Sequence, residues 1–213
     1  MKKTNEIMLK KTALILVSTM MMAFGISLFL ESKLGSDPLS VWSDGLGNRL
    51  NIAVGNANLI HNLVLLALVL IFARRFVKWG TAINAVTLGL FMNLFGPWIL
   101  QVVGSQPSML VRVIMLLVGQ TTLCFGVAIN VTTKFGYTVA EGLIVQISEK
   151  FKMKYRTVKM LFDFTHTLGG VLLGGVFGIG SVIAVLTGGP LVSFFREHGA
   201  EKIVGLFKVP EID

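Results

Sequence analysis

Long apolar runs alternate with short polar stretches along this chain. Six of the runs approach the length of about 20 residues that a helix needs to cross the hydrocarbon core of a bilayer. They cover residues 12–31, 56–73, 80–101, 109–131, 158–177 and 179–196. The pattern predicts an all-α membrane protein with six transmembrane helices. Glycines crowd the junction of the last two runs, between residues 169 and 180, and predict a tight helical hairpin there.

Two shorter segments, 36–50 and 138–151, follow the first and the fourth run. Both are too short to span a bilayer. Asp37 and Thr138 suit the N-cap position, where a side-chain oxygen accepts a hydrogen bond from a free N–H of the first turn. Each segment is either an amphipathic helix in the membrane interface or a half-helix that enters the protein. A half-helix would point the positive end of its dipole toward the midplane.

The second half of the sequence repeats features of the first at an offset of 101 residues, which becomes 100 after a one-residue deletion. The matched pairs include Phe24 with Phe125, Gly25 with Gly126, Lys33 with Lys134, Gly35 with Gly136, Asn62 with Asp163, Gly80 with Gly180, and Phe95 with Phe195. Each half contains three runs, and an odd number makes the second copy enter the membrane from the opposite side. We therefore predict a single membrane domain over 1–213 that contains two inverted three-helix repeats. The repeats cover about 11–101 and about 109–197, and a short cytoplasmic tail follows at 198–213.

Basic residues form clusters that share one side of the membrane if the chain crosses it six times. The clusters are Lys2, Lys3, Lys10 and Lys11; Arg74, Arg75 and Lys78; Lys150, Lys152, Lys154, Arg156 and Lys159; and Arg196, Lys202 and Lys208. Because Lys and Arg accumulate in cytoplasmic loops, both termini are expected to be cytoplasmic. The net charge of +8 follows from this bias. The sequence has no basic stripe on a soluble domain, so we do not expect nucleic-acid binding.

Polar residues inside the apolar runs are candidates for function because ionisable groups are costly in the membrane. Asp163 is the strongest candidate, since it is acidic and recurs as Asn62 in the register of the repeat. The alternative is that Asp163 forms an ion pair with Lys159, one helical turn before it. His166 lies three residues after Asp163 and could share a proton or a hydrogen bond with it. His61 is expected to be structural, and the asparagines at 84 and 93 are expected to join helices.

Catalytic motifs do not stand out. The sequence contains no HExxH or GxSxG motif and no paired His/Cys metal spacing. Its glycine-rich run lacks the Lys followed by Ser or Thr of a phosphate-binding loop. We therefore expect neither an enzyme nor a bound metal or cofactor.

The sequence resembles the YczE/YyaS/YitT family of bacterial membrane proteins. The resemblance depends on Lys33-Leu34-Gly35-Ser36-Asp37-Pro38, Gly55-Asn56-Ala57-Asn58, Gly80-Thr81-Ala82-Ile83-Asn84, Gly136-Tyr137-Thr138 and Gly180-Ser181. It covers about residues 10–197. It implies a multi-pass protein of the bacterial cytoplasmic membrane and indicates no particular substrate.

The leading hypothesis is a transporter or channel-like protein for a small solute, with a site near the midplane between the repeats. The candidate substrate-binding residues are Ser36, Asp37, Asn62, Thr138, Glu141, Asp163 and His166. The expected partners are the lipid bilayer, a small solute of unknown identity and, in a homodimer, a second copy of the chain. One alternative is a non-transporting membrane subunit or assembly factor that docks a partner protein through the basic segment 150–159. A less favoured alternative is a membrane-embedded enzyme that acts on a lipid.

Overall fold

Helices form every regular element in the computed structural model, which describes residues 2–72, 74–136 and 138–207. The α-helices are α1 (Lys2–Ser32), α2 (Pro38–Leu50), α3 (Val54–Phe72), α4 (Trp79–Val103), α5 (Met109–Thr132), α6 (Val139–Lys150), α7 (Tyr155–Leu172), α8 (Ile179–Phe195) and α9 (Glu201–Leu206). A 3-10 turn at Arg74–Phe76 precedes α4, and a π-helical turn at Arg196–Ala200 joins α8 to α9. Met1, Ala73, Tyr137 and residues 208–213 lie outside the described part of the chain.

Five helices are long and apolar enough to cross a membrane. They are α1 from Glu6 onward, α3, α4, α5, and the continuous helix Ile179–Leu206 that α8 and α9 form together. This agrees with the prediction of an all-α, multi-pass membrane protein. It also extends the last helix into the segment that was predicted to be a tail.

The predicted fifth span, 158–177, differs from the helix observed there. α7 ends at Leu172, and the positive φ of Gly174 (90°) fits the turn that follows the helix end. Within its 18 residues α7 has three charged side chains, Arg156, Lys159 and Asp163, so it is not among the five apolar candidates.

The centre of the protein is the crossing of α1 and α5. A Cβ atom at Gly25 would lie 2.6 Å from the backbone oxygen of Gly119, and one at Gly126 would lie 2.8 Å from the backbone oxygen of Ser18. Small residues therefore let the two backbones approach closely. α4 packs against α1 and α8 packs against α5 on either side of the crossing.

Several contacts recur in the two halves at the offset seen in the sequence. The Gly180 N–H donates a hydrogen bond to the Leu34 carbonyl (2.7 Å), and the Gly80 N–H donates one to the Phe135 carbonyl (3.2 Å). Positive φ angles recur in matched pairs, at Lys33 and Lys134 (56° and 50°) and at Asn51 and Lys152 (54° and 52°). Each short helix also packs on a helix of the other half, because α2 packs on α7 and α6 packs on α3.

Both short helices begin inside the protein and end at its surface. α2 is buried at Ser40, Val41, Ser43, Gly45 and Gly47, whereas residues 48–50 are exposed. α6 is buried at Val139, Ala140, Gly142 and Ile144, whereas residues 149–150 are exposed. Their first turns share one apolar cluster, because Leu39 of α2 and Val139 of α6 both belong to the group that surrounds Leu65 of α3. The N-terminal ends of the two short helices therefore pack on the same apolar cluster.

The glycines between residues 169 and 180 do not serve the predicted tight hairpin, because α7 and α8 scarcely touch. They let α2 lie against α7 instead. A Cβ at Gly169 would lie 2.3 Å from the Trp42 ring, and Cβ atoms at Gly170 and Gly175 would lie 2.5 and 2.2 Å from the Val41 carbonyl oxygen. Sequence alone could not show this use, since α2 lies far away along the chain.

Candidate functional site

Polar side chains gather where the start of α2 meets α3 and α7. Asp37 is the N-cap of α2, as predicted, and its carboxylate accepts hydrogen bonds from the Ser40 N–H (3.3 Å) and the Ser36 hydroxyl (3.5 Å). Ser36 is fully buried, and its N–H donates to the Ser181 hydroxyl at 3.0 Å. These bonds attach the start of α2 to the start of α8.

An ion pair on α7 lies within electrostatic reach of Asp37. Lys159 Nζ and Asp163 Oδ1 are 2.9 Å apart, so the pairing that the sequence offered as an alternative role for Asp163 is present. Partial burial raises the pKa of the Asp37 carboxyl, and the charge of Asp163 raises it further. The hydrogen bonds from Ser40 and the charge of Lys159 oppose this rise. The start of α2 and the middle of α7 thus form one electrostatic unit.

Two histidines connect α3 to α7 beside this unit. The Nε2 atoms of His61 and His166 are 3.3 Å apart, and His166 Nδ1 lies 2.8 Å from the Phe162 carbonyl oxygen. The Trp42 ring of α2 lies against both imidazoles, with centroids 5.9 Å from His61 and 5.6 Å from His166. His61 is only 8% exposed.

A chain of amides and hydroxyls connects α3 to α2. Asn62 Nδ2 donates to Asn58 Oδ1 (2.7 Å), Asn58 Nδ2 donates to the Ser43 hydroxyl (3.2 Å), and that hydroxyl donates to the Leu39 carbonyl (2.9 Å). Among the described residues, the buried Trp42 Nε1–H has no hydrogen-bond acceptor. It is a donor that a bound molecule could use.

The predicted residues of the second short helix are not part of this cluster. Thr138 caps α6 by accepting a hydrogen bond from the Glu141 N–H (3.4 Å), as predicted for an N-cap. The Glu141 carboxylate accepts a hydrogen bond from the Tyr155 hydroxyl at the start of α7. Of the seven residues predicted from the sequence, the structure therefore gathers Ser36, Asp37, Asn62, Asp163 and His166 around the start of α2.

Sequence reasoning missed His61 and Trp42. His61 was expected to be structural, and Trp42 was not among the candidate residues. The repeat gives no signal for the histidine pair, because His61 matches Phe162 in the register whereas His166 matches Leu65. Asn84 and Asn93 do join helices, as predicted, through Thr19 and Asn56.

A groove of about 280 Å³ lies between α3 and α6. It is lined by Leu68, Phe72, Leu143, Gln146, Ile147, Lys150 and Phe151. At the repeat offset these positions match Gly169, Leu173, Trp42, Gly45, Leu46, Arg49 and Leu50. Several of those matched residues form the close contact between α2 and α7, where a Cβ at Gly45 would lie 2.3 Å from the Gly170 carbonyl oxygen. Equivalent contacts are therefore closed in one half and open in the other.

Residues 9–197 match the model of the family of unknown function DUF6198. An uncharacterized protein of Haemophilus influenzae is 27% identical over 188 residues, which cover 87% of this chain and 83% of the relative. The uncharacterized membrane protein YczE of Bacillus subtilis is 27% identical over 169 residues (78% of this chain and 77% of YczE). The uncharacterized protein YyaS of the same organism is 25% identical over 181 residues (84% of this chain and 89% of YyaS). No solved structure matches the chain.

These similarities confirm the resemblance predicted from the glycine and polar motifs. They also agree with the five apolar helices, because YczE is described as a membrane protein. The chain is a multi-pass membrane protein that belongs to the DUF6198 family.

Proposed function

We propose that the protein is a transporter or channel-like protein for a small polar solute, with its binding site at the start of α2. The N-terminal ends of α2 and α6 pack on one apolar cluster, beside a partly buried polar cluster, and the proposal depends on this observation. The N-terminal end of a helix presents free N–H groups and the positive end of the dipole. Membrane transporters use such half-helix ends to bind solutes near the midplane.

The proposed architecture is two inverted repeats, α1–α4 and α5–α8, with α7 as the sixth span. The contacts that recur at an offset of 100 or 101 residues support this arrangement, as do the exchanged packing partners of α2 and α6. α7 can cross the membrane despite its charges, because Lys159 and Asp163 neutralise each other and lie within electrostatic reach of α2. With six spans, the basic clusters share the cytoplasmic side with both termini.

The groove between α3 and α6 supports an alternating exposure of the site. In the proposed topology this groove opens to the cytoplasm, where Lys150 lies at its edge. The matching contact between α2 and α7 is closed by Gly45, Gly169 and Gly170. The arrangement therefore corresponds to a protein that is closed on its outer side and partly open on its inner side. In the opposite arrangement, α6 would lie closely against α3 and α2 would separate from α7.

Reconstitution of the full chain in proteoliposomes tests the proposal. We expect a counterflow screen with amino acids, sugars, nucleosides and small organic ions to reveal at least one transported class. The variant Asp163→Asn should lower that flux by about tenfold or more, because it removes the intramembrane charge opposite Lys159. Glu201→Gln, an exposed carboxylate near the chain end, is the matched control. A screen without flux of any class, or an Asp163→Asn variant as active as the control, would contradict the proposal.

A further inference from the structure

The hydrogen bonds around His61 and His166 determine where their protons lie when both rings are neutral. A carbonyl oxygen only accepts hydrogen bonds, so His166 Nδ1, 2.8 Å from the Phe162 oxygen, must carry a hydrogen. The Nε2 of a neutral His166 is then an acceptor. His61 must therefore donate its Nε2–H across the 3.3 Å contact. His61 Nδ1 is then the nitrogen that carries a free lone pair, and it lies outside the contact between the two rings.

We propose that the His61–His166 pair is a proton relay that binds the coupling proton of the transporter, an inference that depends on the proposed function. A proton binds to the lone pair of His61 Nδ1. The hydrogen on His61 Nε2 then moves to His166 Nε2. His61 ends neutral, with its hydrogen on Nδ1, and His166 ends as an imidazolium with hydrogens on both nitrogens. The hydrogen bond between the rings persists with its direction reversed, so the net change is one bound proton.

The position of Asp163 favours a positive charge on His166. Asp163 lies one turn before His166 on α7 and attracts an imidazolium there, whereas the charge of Lys159 opposes it. On α2 the charged groups are Asp37 at the N-cap, Asp44 and Arg49. On α6, which packs on α3 and α7, they are Glu141, Glu149 and Lys150. Helices α3 and α4 contain no Asp, Glu, Lys or Arg. An imidazolium at position 166 thus competes with Lys159 for the Asp163 carboxylate. Proton binding would in this way change the ion pair that faces the start of α2.

Nitrogen-15 NMR of the full chain in detergent micelles tests the relay directly, because the ¹⁵N shift reports whether an imidazole nitrogen carries a hydrogen. The protein has three histidines, and the exposed His198 is assigned with the variant His198→Gln. At about pH 8 we expect hydrogen on His166 Nδ1 and on His61 Nε2. Acidification should turn His166 into the imidazolium while His61 stays neutral and moves its hydrogen to Nδ1. A His61 that becomes the cation, or a His61 that keeps its hydrogen on Nε2 throughout, would overturn the relay.

Proton entry into proteoliposomes that contain the dye pyranine tests the use of the relay in transport. With an imposed potassium diffusion potential, wild type and His198→Gln should admit protons, and His61→Gln and His166→Gln should be slower by about tenfold or more. The NMR experiment uses the unaltered chain, so its result stands even if a buried histidine variant fails to fold. A tautomer switch without proton entry would uphold proton binding by the pair and contradict transport. If His61→Gln and His166→Gln both admit protons as fast as wild type, the relay is not the route of proton entry and the proposal is overturned.

Discussion

Asp37 combines two roles at one residue, because it caps α2 and contributes a negative charge beside Lys159 and Asp163. The two roles can be separated by substitution, since Asn is as good an N-cap as Asp but has no charge. Partial burial raises the pKa of this carboxyl. A raised pKa means that the folded state disfavours the charged form, so loss of the charge should not itself cost stability.

We therefore expect Asp37→Asn to keep the thermal stability of wild type near neutral pH and to lose transport. Asp37→Ala should lower the stability by about 1 kcal/mol, because the cap is removed. Thr138→Ala, at the matching cap of α6, should cost a similar amount. Thermal unfolding of the three purified variants checks the stabilities. Equal stability losses in Asp37→Asn and Asp37→Ala would show that the charge, not the cap, holds the start of α2.

At the scale of elements, the contact between α2 and α7 depends on glycine. A Cβ at Gly170 would lie 2.5 Å from the Val41 carbonyl oxygen and 2.6 Å from the Trp42 nitrogen, so backbone atoms would have to shift. At Gly188 of α8, the nearest atom to the equivalent Cβ position is the Gln120 amide nitrogen at 3.9 Å, an ordinary contact. The two glycines are both helical and offer a matched pair of substitutions.

Gly170→Ala should destabilise the protein by about 1–3 kcal/mol, the range for overpacking, because α2 must move away from α7. Gly188→Ala should be neutral or stabilise by up to about 1 kcal/mol, since alanine favours helix and would make only an ordinary contact. Thermal unfolding followed by intrinsic fluorescence measures both. A Gly170→Ala variant as stable as Gly188→Ala would mean that α2 does not lie closely on α7.

Element boundaries were accessible from the sequence where hydropathy alone sets them. The runs at 56–73, 80–101 and 109–131 begin and end within two residues of helix ends in the structure, and the last run begins at residue 179, as α8 does. The caps at Asp37 and Thr138 were equally readable, because capping is a local interaction. The role of Gly169 and the pairing of His61 with His166 were not readable. Both depend on how distant helices are rotated and placed against each other, which a local pattern does not encode.

At the scale of the whole molecule, α7 decides the topology. If α7 crosses the membrane, the chain crosses six times and its two ends share one side. If α7 stays on one side, the helix Ile179–Leu206 is the fifth crossing and its end lies opposite the N-terminus. α7 has the charges of Arg156, Lys159 and Asp163, which a lipid-exposed span would not tolerate. Its contact with α2 supplies the protein surface against which such a helix can cross.

Single cysteines in a Cys124→Ala background distinguish the two topologies. A membrane-impermeant maleimide added to intact cells should label Gln106→Cys, in the exposed loop between α4 and α5. It should label Arg74→Cys, in the loop between α3 and α4, and Lys202→Cys, in α9, only after the cells are lysed. Six crossings place residues 74 and 202 together inside, where Lys and Arg accumulate. If the reagent labels Lys202→Cys but not Arg74→Cys in intact cells, α7 does not cross the membrane. The inverted arrangement of the two halves would then be wrong.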